Sequence, residues 1–169
     1  MELLLNDLLG LLEGEIGLYA SMLLTLQKEK KAIVDSNYTE LNETSREKEN
    51  LFLKIRILEE QRISVLEKLA QDLGQPSQDL TLSKLSQLVQ EPQSTQLIDC
   101  HSTFLSLAQS IQEINQSNKT LLTHSLDLVR NSVSLLSDLL SSNPVYYRTG
   151  KMDVRDERGR LLYGNVYVE

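Results

Sequence analysis

Apolar side chains recur at steps of four and three along the first stretch of the chain: Leu5, Leu9, Leu12, Ile16, Tyr19, Leu23, Leu26 and Ile33, with Lys30 the one interruption. Side chains at this spacing lie along one side of an α-helix. The pattern therefore predicts a helix over Glu2–Val34 whose stripe must be buried against partners. Glu2, Asp7 and Glu13 lie toward its start and Lys28, Lys30 and Lys31 near its end, as the helix dipole favours. Gly10, Gly14 and Gly17 weaken the first half, by up to about 1 kcal/mol each relative to Ala. They fit either a close helix approach or a mobile helix.

The sequence Asp35-Ser36-Asn37-Tyr38 breaks the pattern, and Asn37 with Glu40 has the spacing of a capping box. A second helix follows, with Leu41, Leu51, Ile55, Leu58, Val65 and Leu69 in a seven-residue frame. Its remaining inner positions include Thr44, Lys48 and Arg62. Gly74 and Pro76 end it. The short break favours an antiparallel hairpin of the two helices. Residues 75–96 are rich in Gln, Ser and Pro and predict a short helix, Leu82–Val89, before Pro92. The third long segment runs from Ser94 to Ser141. Its frame reads Leu97, Cys100, Phe104, Leu107, Ile111, Ile114, Asn118, Leu121, Ser125, Leu128, Ser132, Leu135 and Leu139. At 1.5 Å per residue it spans about 70 Å, against about 50 Å for each of the first two, so it should project past the hairpin or bend. Asn143-Pro144 stops it.

The last stretch differs in kind. It holds Tyr146, Tyr147, Tyr163 and Tyr167, and turn-like glycines at 150 and 159. Asp156-Glu157-Arg158-Gly159 suits a hairpin turn between Met152–Arg155 and Leu161–Val168. An isolated hairpin is marginal in water, so the expectation is a mobile or weakly β tail that orders only against a partner or another copy. The fold class expected is all-α: an elongated antiparallel bundle of three long helices plus a short connecting helix. The expected division is residues 1–142 as a helical domain and 143–169 as a flexible tail.

Composition supports helices: Trp is absent, Phe occurs twice and Gly seven times in 169 residues. A β or α/β fold would ordinarily use more aromatic, β-branched and Gly residues. The net charge of −7 argues against a nucleic-acid partner. Residues 143–169 hold five basic against four acidic side chains, so the acidity belongs to the helical body. The lone Cys100 excludes an intramolecular disulfide and fits a reducing compartment. No apolar run approaches the roughly 18 residues that span a bilayer, and no basic region precedes the first leucines. The expectation is a cytoplasmic protein without stable membrane insertion.

Candidate chemistry is sparse. Cys100 lies on the third stripe and is expected to be a small core residue. His101 and His124 are about 35 Å apart along one helix and cannot share a metal within the chain. Glu13/Glu15, Glu47/Glu49 and Glu59/Glu60 fall on faces expected to be solvated, whereas a catalytic pair needs burial. The sequence carries no phosphate-binding loop, dinucleotide fingerprint, Cys/His cluster or Gly-x-Ser-x-Gly elbow. The expectation is a protein that is not an enzyme and needs no cofactor or metal. The polar residues inside the third stripe carry more information. Asn118, Ser125 and Ser132 occupy inward positions, with Asn115 beside them. An inward Asn either fixes helix register at some cost in stability or marks a face that meets a partner.

Asn115-Gln116-Ser117-Asn118-Lys119-Thr120-Leu121-Leu122, followed by Tyr146-Tyr147-Arg148-Thr149-Gly150-Lys151, resembles the Asn-x-x-Asn-x-x-Leu-Leu and Tyr…Gly motifs of the FlgN family of flagellar type III export chaperones. Lys48-Glu49 and Leu58-Glu59-Glu60-Gln61-Arg62 stand in similar places on the second helix. The resemblance covers nearly the whole chain, which runs on past Gly150 beyond the family's pattern. It implies a chaperone that binds the C-terminal segments of hook–filament junction proteins and hands them to the membrane export gate, with the export ATPase as a further candidate partner. The partner-binding residues it points to are Asn115, Asn118, Leu121, Leu122, Leu126, Tyr146 and Tyr147. A monomer or weak homo-oligomer is expected. The alternative is a structural coiled-coil scaffold whose stripes are buried in a permanent oligomer.

Overall fold

The computed structural model describes residues 1–76, 78, 80–141, 154–155 and 161–162. Four helices follow one another: α1 (Glu2–Val34), α2 (Tyr38–Leu73), α3 (Leu82–Leu88) and α4 (Gln93–Ser141). The fold is all-α in its described body, as the periodicity predicts. Two units make up the chain, Met1–Thr123 and His124–Glu169. The expected boundary between residues 142 and 143 lies outside the described residues.

Local chemistry sets the helix ends. The Asn37 side chain accepts a hydrogen bond from the Glu40 backbone N–H at 3.2 Å, and its Nδ2 donates to Glu40 Oε2 at 3.2 Å. The Glu thus meets the capping side chain rather than the capping backbone. Both hairpin helices close with the paired 6→1 and 5→2 bonds of a Schellman motif. On α1 these run from Asn37 N–H to Ala32 O and from Ser36 N–H to Ile33 O; on α2 they run from Gln75 N–H to Ala70 O and from Gly74 N–H to Gln71 O. The left-handed position is Gly74 at φ 65° in one and Ser36 at φ 52° in the other.

In the first unit, α2 folds back on α1, and α4 runs in the same direction as α1. Tyr19 and Phe104 meet edge to face at 5.7 Å, and Leu26 meets Asn118 further along both helices. One apolar cluster joins Leu5, Leu8, Leu9 and Leu12 of α1 to Leu69 and Ala70 of α2, Leu80, Leu85 of α3, and Leu97 and Cys100 of α4. A second joins Met22, Leu26 and Ile55, with Tyr19, Leu51, Ile111 and Ile114 packed on it. Removing such side chains from water is worth about 1.5–3 kcal/mol apiece. α1 lies between two neighbours, so it buries Leu8, Met22, Thr25 and Ala32 as well as the stripe first recognised. A Cβ on Gly14 would meet Leu58 Cδ1 at 3.2 Å, whereas Gly10 and Gly17 face open space. Close approach therefore explains Gly14 alone.

The expectation that no segment is apolar enough to span a bilayer needs correction. An 18-residue stretch of α1 reaches a mean hydropathy of 1.3, sufficient by length and composition. A third of that stretch is buried inside the protein.

In the second unit, β1 (Val154–Arg155) and β2 (Leu161–Leu162) pair antiparallel, with Val154 opposite Leu162 and Arg155 opposite Leu161. This ladder falls on the two arms of the hairpin read from the sequence.

Candidate partner-binding surface

Two polar layers interrupt the apolar interior between α1 and α2. In the first, Arg62 Nε donates to Glu15 Oε1 at 3.0 Å and Oε2 at 3.1 Å. Glu15 is 3% exposed, which corrects the expectation that it lies on a solvated face. Its frame neighbours are apolar, and the helix buries it because Arg62 stands opposite. Burial pushes the Glu15 carboxyl above its usual range; the Arg62 hydrogen bond and charge pull it back, and nearby Glu59 raises it further. Glu13, Glu47, Glu49, Glu59 and Glu60 are exposed as expected.

The second layer lies fourteen residues further along α1 and fourteen back along α2, in the same antiparallel register. Here Lys48 Nζ is bonded to Glu29 Oε1. Asn118 of α4 completes the layer. Its Nδ2 donates to the Leu26 carbonyl oxygen at 2.9 Å and to Glu29 Oε2 at 3.0 Å. Asn118 is 2% exposed, and among the described residues no donor reaches its Oδ1. Lys30, which looked like the break in the α1 stripe, is exposed; the interior break is Glu29.

The residues singled out from sequence therefore separate. Asn118 is engaged inside the protein, and Asn115 is exposed. Leu121 and Leu122 are half-buried, and Leu126 is 56% exposed. Tyr146 and Tyr147 lie outside the described residues.

From Thr123 to Asp138 every side chain of α4 is exposed. In this stretch Leu126, Val129, Val133 and Leu136 follow Leu122 at steps of four, three, four and three. Leu128 and Leu135 are exposed as well. The seven-residue frame chosen from sequence passed through Ser125 and Ser132 and missed this uninterrupted apolar row one residue along. The signal was present. A straight helix of 3.6 residues per turn drifts by about 20° per heptad, so a strict seven-residue frame leaves the apolar face over a long helix. Charged groups on this stretch are few: Asp127 and Arg130 pair at 3.9 Å, both exposed. A helix face with this width of Leu and Val suits an amphipathic helix laid along it.

The chemistry of the remaining groups is quiet. Among the described residues no three His, Cys, Asp or Glu side chains gather as a metal would require. Cys100 is buried, and its thiol is raised by burial first and then by Glu13 and Asp99, which keeps it protonated and unreactive. The Tyr19 hydroxyl is likewise raised, by burial and then by Glu15 and Glu59.

The family model described as FlgN protein matches residues 1–153. No curated protein and no solved structure matches the chain.

Proposed function

The chain belongs to the FlgN family, a family of flagellar export chaperones, and from that premise we propose that it binds hook–filament junction proteins through α4 and delivers them to the type III export gate. The cargo element is the C-terminal segment of the junction protein. It folds as an amphipathic helix on the row Leu126, Val129, Val133 and Leu136. The observation that carries this reading is the row from Leu126 to Leu136: apolar, regular and exposed over three turns of a helix. A monomeric export substrate has similar apolar faces that polymerise if left open, and a chaperone that covers them prevents it.

In this reading residues 143–169 form a separate functional part. Tyr146 and Tyr147 contact the export gate, with the export ATPase as a further partner, and the protein acts in the cytoplasm as a monomer or weak homo-oligomer. No bond is made or broken, and neither nucleotide nor metal takes part.

Isothermal titration of the full chain with peptides from junction-protein C-termini tests this reading. Binding with a negative heat-capacity change is expected, because apolar area leaves water. Absence of heat at every temperature contradicts it. Truncation after Asn143 is expected to leave helicity unchanged while altering partner binding.

A further inference from the structure

We propose that Asn118 is the residue that locks the register of α4 on the α1–α2 hairpin. The hairpin itself needs no such lock, because the three-residue link from Asp35 to Asn37 ties α2 to α1. α4 is different. It is joined through residues 74–92, and a one-heptad slide moves it by about 10 Å.

The apolar seam of α4 does not resist such a slide. Leu97, Phe104 and Ile111 are one heptad apart, as are Cys100, Leu107 and Ile114. Slid forward by one heptad, Leu97, Cys100, Phe104, Leu107 and Ile114 would each move into a place now held by an apolar side chain, and Ile111 would move into that of Asn118. Asn118 has no such equivalent. One heptad away stand Ile111, which has no donor, and Ser125, whose hydroxyl carries a single hydrogen for two acceptors. In a slid register the Leu26 carbonyl and Glu29 Oε2 would face one of these. The Asn118 amide would face the region of Tyr19 and Met22, or that of Ile33, where α1 has no buried carboxylate. A buried amide without partners is costly. A single inward Asn in an otherwise apolar seam is a known means of selecting one alignment among several.

The choice of the second polar layer over the first is also physical. Glu15 has both oxygens taken by Arg62. Glu29 gives Oε1 to Lys48 and keeps Oε2 for Asn118. Within the first unit, the register so chosen leaves Leu121 and Leu122 half-buried.

A distance measurement on the full chain tests the lock, independently of any cargo. Spin labels are placed at exposed Lys31 of α1 and Ser102 of α4 through introduced cysteines, in a Cys100→Ala background. The parent should give one narrow distance. Asn118→Leu should keep its helicity and show a second population displaced by up to about 10 Å, the rise of seven residues. Asn118→Gln, which retains the amide donor, should restore the single distance. One unchanged narrow distance in Asn118→Leu would overturn the proposal, as would loss of helicity in that variant or sliding in Asn118→Gln.

Discussion

Arg62 reaches across from α2 with its Nε between the two carboxylate oxygens of Glu15, at 3.0 and 3.1 Å, while Glu15 is 3% exposed. Arg62 itself keeps a quarter of its side chain in solvent. The pair is therefore asymmetric: the acid is enclosed and the base is partly hydrated. Burial outweighs the attraction of Arg62 at the carboxyl, and its pKa is raised.

That direction fixes a pH dependence. The folded chain holds the Glu15 proton more firmly than the unfolded chain does. The corresponding stability is fully present below the unfolded value of 4.5 and is lost as pH rises through the raised folded value. Urea unfolding of the parent and of Glu15→Gln across pH 4 to 8 measures it. The stability of the parent relative to the variant should fall with rising pH in the window above 4.5. A relative stability that grows with pH would mean that Arg62 dominates.

Removing Arg62 leaves an enclosed carboxylate without its cation. Arg62→Ala is expected to cost about 3 kcal/mol at neutral pH, the low end of the range for a broken buried pair because Arg62 is partly hydrated. The joint change Glu15→Leu with Arg62→Leu should be neutral or stabilising. Denaturant midpoints distinguish these outcomes, and a joint variant as weak as Arg62→Ala would contradict the desolvation argument.

Ser36 holds φ 52° in the Schellman turn that ends α1. A left-handed backbone costs a non-glycine residue about 1–2 kcal/mol, and the extra entropy of glycine returns part of that. Ser36→Gly should therefore stabilise by about 0.5–1 kcal/mol. Thermal unfolding with a lowered Tm would count against the turn geometry.

The three α1 glycines should respond differently. Gly10 and Gly17 face open space, so Ala at either should gain about 1 kcal/mol from helix propensity. At Gly14 the added methyl meets Leu58 Cδ1 at 3.2 Å, and the gain should shrink or reverse. Equal gains at all three sites would show that Leu58 yields freely.

Helix limits were legible because they rest on local chemistry. Asn37 with Glu40 and Gly74 before Pro76 are start and stop signals within a few residues of the ends they mark, whereas Asn143-Pro144 lies outside the described residues. The ladder of Val154–Arg155 with Leu161–Leu162 was legible for the same reason. Pairing across helices was not. A glutamate among leucines reads as surface until the opposite helix is known to bring Arg62 or Lys48, so Glu15 and Glu29 stayed hidden although both bases had been placed at inner positions. Asn118 could be read as a register device or as a partner contact. Its two hydrogen bonds to α1 give it a place inside the protein, and only the fold shows them. The row from Leu126 to Leu136 was in plain view but was masked by a frame of seven imposed on a helix of 3.6 residues per turn.

The central claim concerns that row, and the most direct measurement is titration of Val129→Asp with Val133→Asp against a junction-protein C-terminal peptide, beside the parent. Both valines are exposed, so helicity and Tm should hardly change. The account predicts that the parent binds and that the double variant loses at least a hundredfold in affinity, since about 3 kcal/mol of apolar contact is removed. Unchanged affinity in the double variant would contradict it.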